Sequence, residues 1–151
     1  MSMKYGIVLV VLIHRKNFKE ILLVKRAREP EIGKWSLAGG FGALETEVNP
    51  LKAVRKEIYD DLGVEFNSSL YKLKFWERPG PTLYLYFHGG ISGHPKPISK
   101  TISAAEWFPV EKVLNMKLAF EEKDKPVIKQ FKKDFTKAIT RTGLWLPGKE
   151  P

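Results

Sequence analysis

Apolar positions along the chain fall into runs of two periods. Val8 to Ile13 is an unbroken, β-branched-rich run and reads as a buried strand. Glu20 to Arg26 (EILLVKR) makes its hairpin partner, with Asn17 in the turn. Pro30 and Gly33 mark a loop, and Trp35-Ser36-Leu37 a short strand ending at Gly39-Gly40. After an irregular stretch the period becomes helical over 50–62. Asn49 suits the N-cap, Pro50 the first helical position and Gly63 the place just past the end. Tyr71 to Glu77 and Thr82 to His88 alternate like two strands around Arg78-Pro79-Gly80-Pro81. Gly89 to Ser103, rich in glycine, proline and serine, reads as a long exposed loop. Glu106-Trp107-Phe108 predicts a short strand, Val110 to Leu114 a short helix, and Asp124 with Pro126 the capped start of a long helix to about Ile139. The expected architecture is α+β, an α/β/α sandwich around a mixed β-sheet. Residues 1–140 form its one domain and 141–151 a C-terminal tail.

On the helix over 50–62, at roughly 100° per residue, Leu51, Val54, Ile58 and Leu62 fall within about 80° and predict the core stripe. Glu57 and Asp61 lie about 40° apart, with Asp60 about 60° further round. Three acids crowded into the C-terminal half repel one another and oppose the helix dipole. Such a cluster is offset by a cation, and Arg55, Lys56 or a bound metal ion would each serve.

Composition narrows the chemistry. With 43% hydrophobic and 28% charged residues, the 151-residue chain is a globular domain, not a disordered one. It has no cysteine, which excludes disulfides, thiolate metal sites and cysteine nucleophiles. Its three histidines, His14, His88 and His94, are too dispersed in sequence to suggest a metal centre, so any metal would be a hard cation on carboxylates. Lys and Arg outnumber Asp and Glu by 26 to 17, a net +9 that favours polyanionic partners. The run Tyr5 to Ile13 is too short to span a membrane and lacks a cleavage pattern, so the expected location is cytoplasmic. Gly40-x-Gly42 is too slight a signal for dinucleotide binding without a following parallel βαβ unit.

The stretch Trp35 to Val64, WSLAGGFGALETEVNPLKAVRKEIYDDLGV, resembles the Nudix box, and the flanking LLVKRA and AEWFPVEKV extend the likeness over Val8 to Phe131. Glu57, Ile58, Asp60, Asp61, Gly63 and Val64 occupy the Glu, aliphatic, Glu, Glu, Gly and aliphatic places. The resemblance implies the Nudix fold and a Mg2+ site, with Mn2+ as an alternative, formed by Gly39, Glu57, Asp60 and Asp61 and extended by Glu106. It implies catalysis by Glu57 with Glu47, or Glu45, in the preceding loop. Arg26, Lys56 and Asp124 are the implied substrate contacts, Asp124 at a base-reading position. The copy departs from the family pattern: the spacings Gly40–Glu47 and Glu47–Lys56 are each one residue longer than the pattern, Lys56 stands for arginine, two aspartates stand for glutamates and Ala38 for proline. Lysine does not reproduce the bidentate arginine fork.

The implied activity is Mg2+-dependent hydrolysis of a nucleoside diphosphate linked to X, of ADP-ribose or nucleotide-sugar type, towards which REPEIGKWSLAGGF leans. Alternatives are a (d)NTP or RNA 5′-end pyrophosphohydrolase and a silent nucleotide-sensing or binding module. The expected partner is a nucleotide-derivative small molecule, with an RNA 5′ end as the alternative, no membrane, and a homodimer as an assembly to test. Lys123 to Arg141, with seven Lys and Arg against two Asp, reads as a solvated helix face or a guide for an RNA end.

Overall fold

The computed structural model describes residues 6–41, 49–76 and 81–142. Its strands are β1 (Gly6–Arg15), β2 (Glu20–Arg26), β3 (Trp35–Ser36), β4 (Ala38–Phe41), β5 (Glu65–Trp76), β6 (Thr82–Ser92) and β7 (Ile102–Pro109); its helices are α1 (Pro50–Leu62), α2 (Val110–Leu114) and α3 (Glu121–Thr142). The strands form one mixed sheet, ordered β3-β2-β1-β6-β5, with β4 also pairing β1 and β7 pairing β2. The β1–β6 ladder is parallel and the others antiparallel.

Side chains alternate across β1 and divide the core in two. Leu9, Val11 and Ile13 join Val54, Ile58 and Leu62 of α1 on one face, while Val10 and Leu12 join Val113 of α2 and Val127, Ile128 and Phe131 of α3 on the other. The result is the α/β/α sandwich expected from the sequence. Among the described residues, no helix is long and apolar enough to cross a membrane.

The β1–β2 turn holds Lys16, Asn17 and Phe18 at positive φ, as the placement of Asn17 suggested. The α1 boundaries match the expectation, and so do its caps. Asn49 Oδ1 accepts from the N–H groups of Leu51 at 3.0 Å and Lys52 at 3.3 Å, and Gly63 closes the helix at φ 70°.

Four expectations are corrected. Strand β5 begins at Glu65, shortly after the helix, and not at Tyr71; its polar start (EFNSSL) hides the strand, but pairs with Phe87–Ser92. For the same reason the loop expected over Gly89 to Ser103 shrinks to 93–101, since β6 runs on to Ser92 and β7 starts at Ile102. Leu51 is 38% exposed and outside the core stripe. Helix α1 buries Ala53, Val54, Ile58 and Leu62, so it is rolled towards the Glu57–Asp61 side, where Ala53 permits close packing, and leaves Leu51 at the far margin. Finally, α3 starts at Glu121, whose Oε1 accepts from Leu118 N–H at 3.0 Å; Asp124 is a buried residue of the first turn and not its cap.

Candidate active site

The roll of α1 half-buries two of its acids. Glu57 and Asp61, one turn apart, line a small cavity of about 30 Å³ with Gly39, Ser36 and Thr101, and Arg26 and Arg28 stand beside it. Burial first, then the Asp61 charge and the hydrogen bond between the two carboxyls, push Glu57 up to about 7. Paired carboxyls in so small a space call for a proton or a cation between them. A hard divalent ion suits that donor set, and the cavity of about 30 Å³ has room for two or three waters at about 10–15 Å³ each.

Gly39 sits where β4 crosses β1. At φ 143° its position leaves no room for a side chain: an added Cβ would lie 2.1 Å from the Leu9 carbonyl oxygen. The glycine is therefore required by strand contact.

The remaining sequence-derived candidates are dispersed. Asp60 is on the solvent side of α1, its Oδ2 2.7 Å from Lys56 Nζ, so this lysine holds an acid of the same helix. Asp60 still contributes repulsion at Glu57. Lys56 lines a separate groove with Arg55, Tyr59 and Glu65. Glu106 pairs across the sheet with Leu23, on the face of β7 shared with Phe108 and opposite to α1, because side chains alternate along the strand. Glu47 and Glu45 lie outside the described residues. Among the described residues, no three His, Asp or Glu groups converge closely enough to hold a metal ion. The sequence-derived metal candidates that line the small cavity together are Glu57, Asp61 and Gly39.

A larger cavity of about 390 Å³ adjoins the first; the two share Arg26, Arg28 and the Ser36–Gly39 segment. Tyr84, Phe120 and Asp124 line the larger cavity and not the smaller one. Arg26 bridges the two cavities with a fixed side chain: its Nε donates to the Pro30 carbonyl at 2.7 Å, and its guanidinium stacks 4.9 Å from the centroid of Phe120. Asp124 is 4% exposed and accepts at Oδ1 a hydrogen bond of 2.8 Å from the Tyr86 hydroxyl. Burial pushes its carboxyl up to about 7 against the opposing pull of Tyr86 and Lys123. Sequence reasoning had singled out Arg26 and Asp124 but not Arg28, Ser36, Phe120 or the pairing of Tyr86 with Asp124. The RAR spacing at the end of β2 was a usable signal for Arg28; nothing in the sequence pairs Tyr86 with a residue 38 positions away.

Comparison with known proteins agrees with this architecture. The family model described as the NUDIX domain matches residues 4–131. A relative from Acinetobacter baylyi, the "ADPR responsive transcriptional repressor NtrR", is 27% identical over 111 residues, covering 70% of this chain and 44% of its own length. The chain thus spans less than half the length of that curated relative. Among solved structures, the NUDIX domain of Shewanella oneidensis NrtR complexed with ADP ribose superposes with a TM-score of 0.69 at 19% identity, covering 89% of each chain. The E. coli ORF135 protein does so with a TM-score of 0.70 at 24% identity, covering 85% of this chain and 89% of that one.

Proposed function

This chain belongs to the Nudix family, and on that premise we propose that it is a Mg2+-dependent pyrophosphohydrolase of nucleoside diphosphates linked to X, of ADP-ribose or nucleotide-sugar type. The observation that carries the proposal is the joined pair of cavities, with a carboxylate pair at one end and an aromatic, Asp124-bearing pocket at the other. In this reading the nucleoside enters the larger cavity and the diphosphate lies along Arg26 and the Ser36–Gly39 segment. The remaining lone pairs of the Asp124 carboxylate would accept from a base's exocyclic amine.

Glu57, Asp61 and Gly39 would hold the divalent ion, Mg2+ or Mn2+; once bound, such an ion neutralises diphosphate charge and acidifies a water. Glu57, half-buried beside Asp61, is the residue we assign to receive the proton of the attacking water, with Glu47 or Glu45 as second choice. Asp60 and Glu106 enter the ion's shell only after a side-chain or strand rearrangement, so they take no part in the primary assignment.

Two further readings have specific support. The Lys56–Asp60 pair ties up one box acid, and the A. baylyi relative is by its name an ADP-ribose-responsive repressor; both favour a silent sensing module. The +9 charge favours a (d)NTP or RNA 5′-end substrate. One assay separates them: incubation with Mg2+ or Mn2+ and a panel of ADP-ribose, nucleotide sugars, dNTPs and 5′-triphosphate RNA. Cleavage of ADP-ribose or a nucleotide sugar is expected. Cleavage restricted to triphosphates selects the second enzyme, and tight ADP-ribose binding without turnover in either metal selects the sensor.

A further inference from the structure

Arg28 lies two residues past β2 on a loop pinned at its base. The Ala27 N–H donates to the Thr101 carbonyl at 2.9 Å, the Arg26 N–H to that of Lys34 at 2.9 Å, and the Gly33 N–H to that of Arg26 at 2.8 Å. From this fixed backbone the exposed side chain borders both cavities. It lines the smaller cavity together with Glu57 and Asp61, and it shares both cavities with the neighbouring Arg26. Arg26 is committed by its bond to Pro30 and its stacking on Phe120, whereas among the described residues no such bond or stacking fixes the exposed Arg28 side chain.

Resting on the diphosphate reading above, we infer that Arg28 serves the two cavities in turn: it is the countercharge of Glu57 and Asp61 in the ligand-free protein and the clamp of the diphosphate once a nucleotide is bound. One guanidinium cannot serve both at full strength. A diphosphate offers it bidentate, charge-assisted hydrogen bonds, which outcompete a half-buried carboxylate reached only through space. Nucleotide binding therefore withdraws a positive charge from the carboxylate pair at the moment a cation is needed there. By linkage, the cation in turn releases Arg28 towards the phosphates, so each ligand favours the other. Arg28 is in this sense a positioning residue for metal and a contact residue for substrate.

The test uses the full chain as wild type, Arg28→Gln and Arg28→Lys. Mn2+ binding is followed by the electron paramagnetic resonance signal of free Mn2+, and ADP binding by calorimetry in EDTA. Arg28→Gln should bind Mn2+ about 3- to 10-fold more tightly in the absence of nucleotide, since a local positive charge is gone, and bind ADP about 10-fold more weakly. Arg28→Lys should keep the wild-type Mn2+ affinity and still bind ADP about 3-fold or more weakly, because a point charge lacks the fork. Loss of fold moves both affinities of Arg28→Gln downward, so the opposite signs are the signature. Mn2+ affinity that is unchanged or weaker in Arg28→Gln, or ADP affinity that is unchanged, overturns the inference alone. A wild-type protein that binds neither Mn2+ nor ADP overturns it together with the hydrolase reading.

Discussion

Substituting Asn for Asp124 removes a buried charge while keeping size and the Oδ1 acceptor for Tyr86. The native residue is 4% exposed, and its carboxyl is raised from 3.8 to about 7, chiefly by burial. A group whose folded-state pKa is raised contributes stability that is fully present below the unfolded-state value and lost as pH rises through the folded-state value. Wild-type stability should therefore decline through this group between about pH 4 and pH 7. At about 1.4 kcal/mol per unit, the shift sets a ceiling of about 4 kcal/mol. The variant carries no titrating group there. Its stability relative to wild type should be near zero at pH 4 and rise to about 2–4 kcal/mol in its favour at pH 8. Urea melts of both proteins at half-unit pH steps read the difference directly, because titrations elsewhere cancel. A difference that is flat with pH, or a variant less stable than wild type at pH 8, refutes the account of Asp124 as a charge forced into the core. A companion variant, Tyr86→Phe, strips the carboxylate of its hydroxyl donor and should cost about 1–3 kcal/mol.

The opposite sign is expected at His14. Burial, with a smaller push from His88, lowers it to about 4, and its ring lies among Phe18, Phe131 and Phe135 with Nε2 3.1 Å from His88 Nδ1. Its stabilising contribution is present above pH 6.5 and lost as pH falls towards 4, worth up to about 3 kcal/mol, and His14→Phe should flatten that slope in acid urea melts; an unaltered slope disproves the assignment. Gly39→Ala places a Cβ 2.1 Å from the Leu9 carbonyl oxygen and should cost about 2 kcal/mol or more; a melting temperature within a degree of wild type contradicts the β1–β4 contact. Glu57→Gln removes a repelling charge beside Asp61, so turnover should vanish while the melting temperature holds or rises. Substantial residual turnover, or a melting temperature well below wild type, would mean that Glu57 is misassigned.

What the linear chain determined by itself is local. Asn49, Pro50 and Gly63 set the limits of α1 through backbone hydrogen bonds and allowed dihedrals that involve only near neighbours. The β-branched run of β1, the partner strand β2 and the spacing of Glu57 and Asp61 on one side of a helix are legible for the same reason. Tertiary structure decided whatever depends on how elements are rolled and paired. The roll of α1 buried Ala53 in place of Leu51 and half-buried Glu57 and Asp61, a choice that local periodicity leaves open over tens of degrees. Strand register set Glu106 on the far face from α1 and recruited the polar start of β5 into the sheet. Only packing brought Tyr86 against Asp124 and turned a helix-starting aspartate into a buried acid. Helical and strand periods follow from neighbouring residues, but a shared cavity is made by side chains that meet only when separate elements press together.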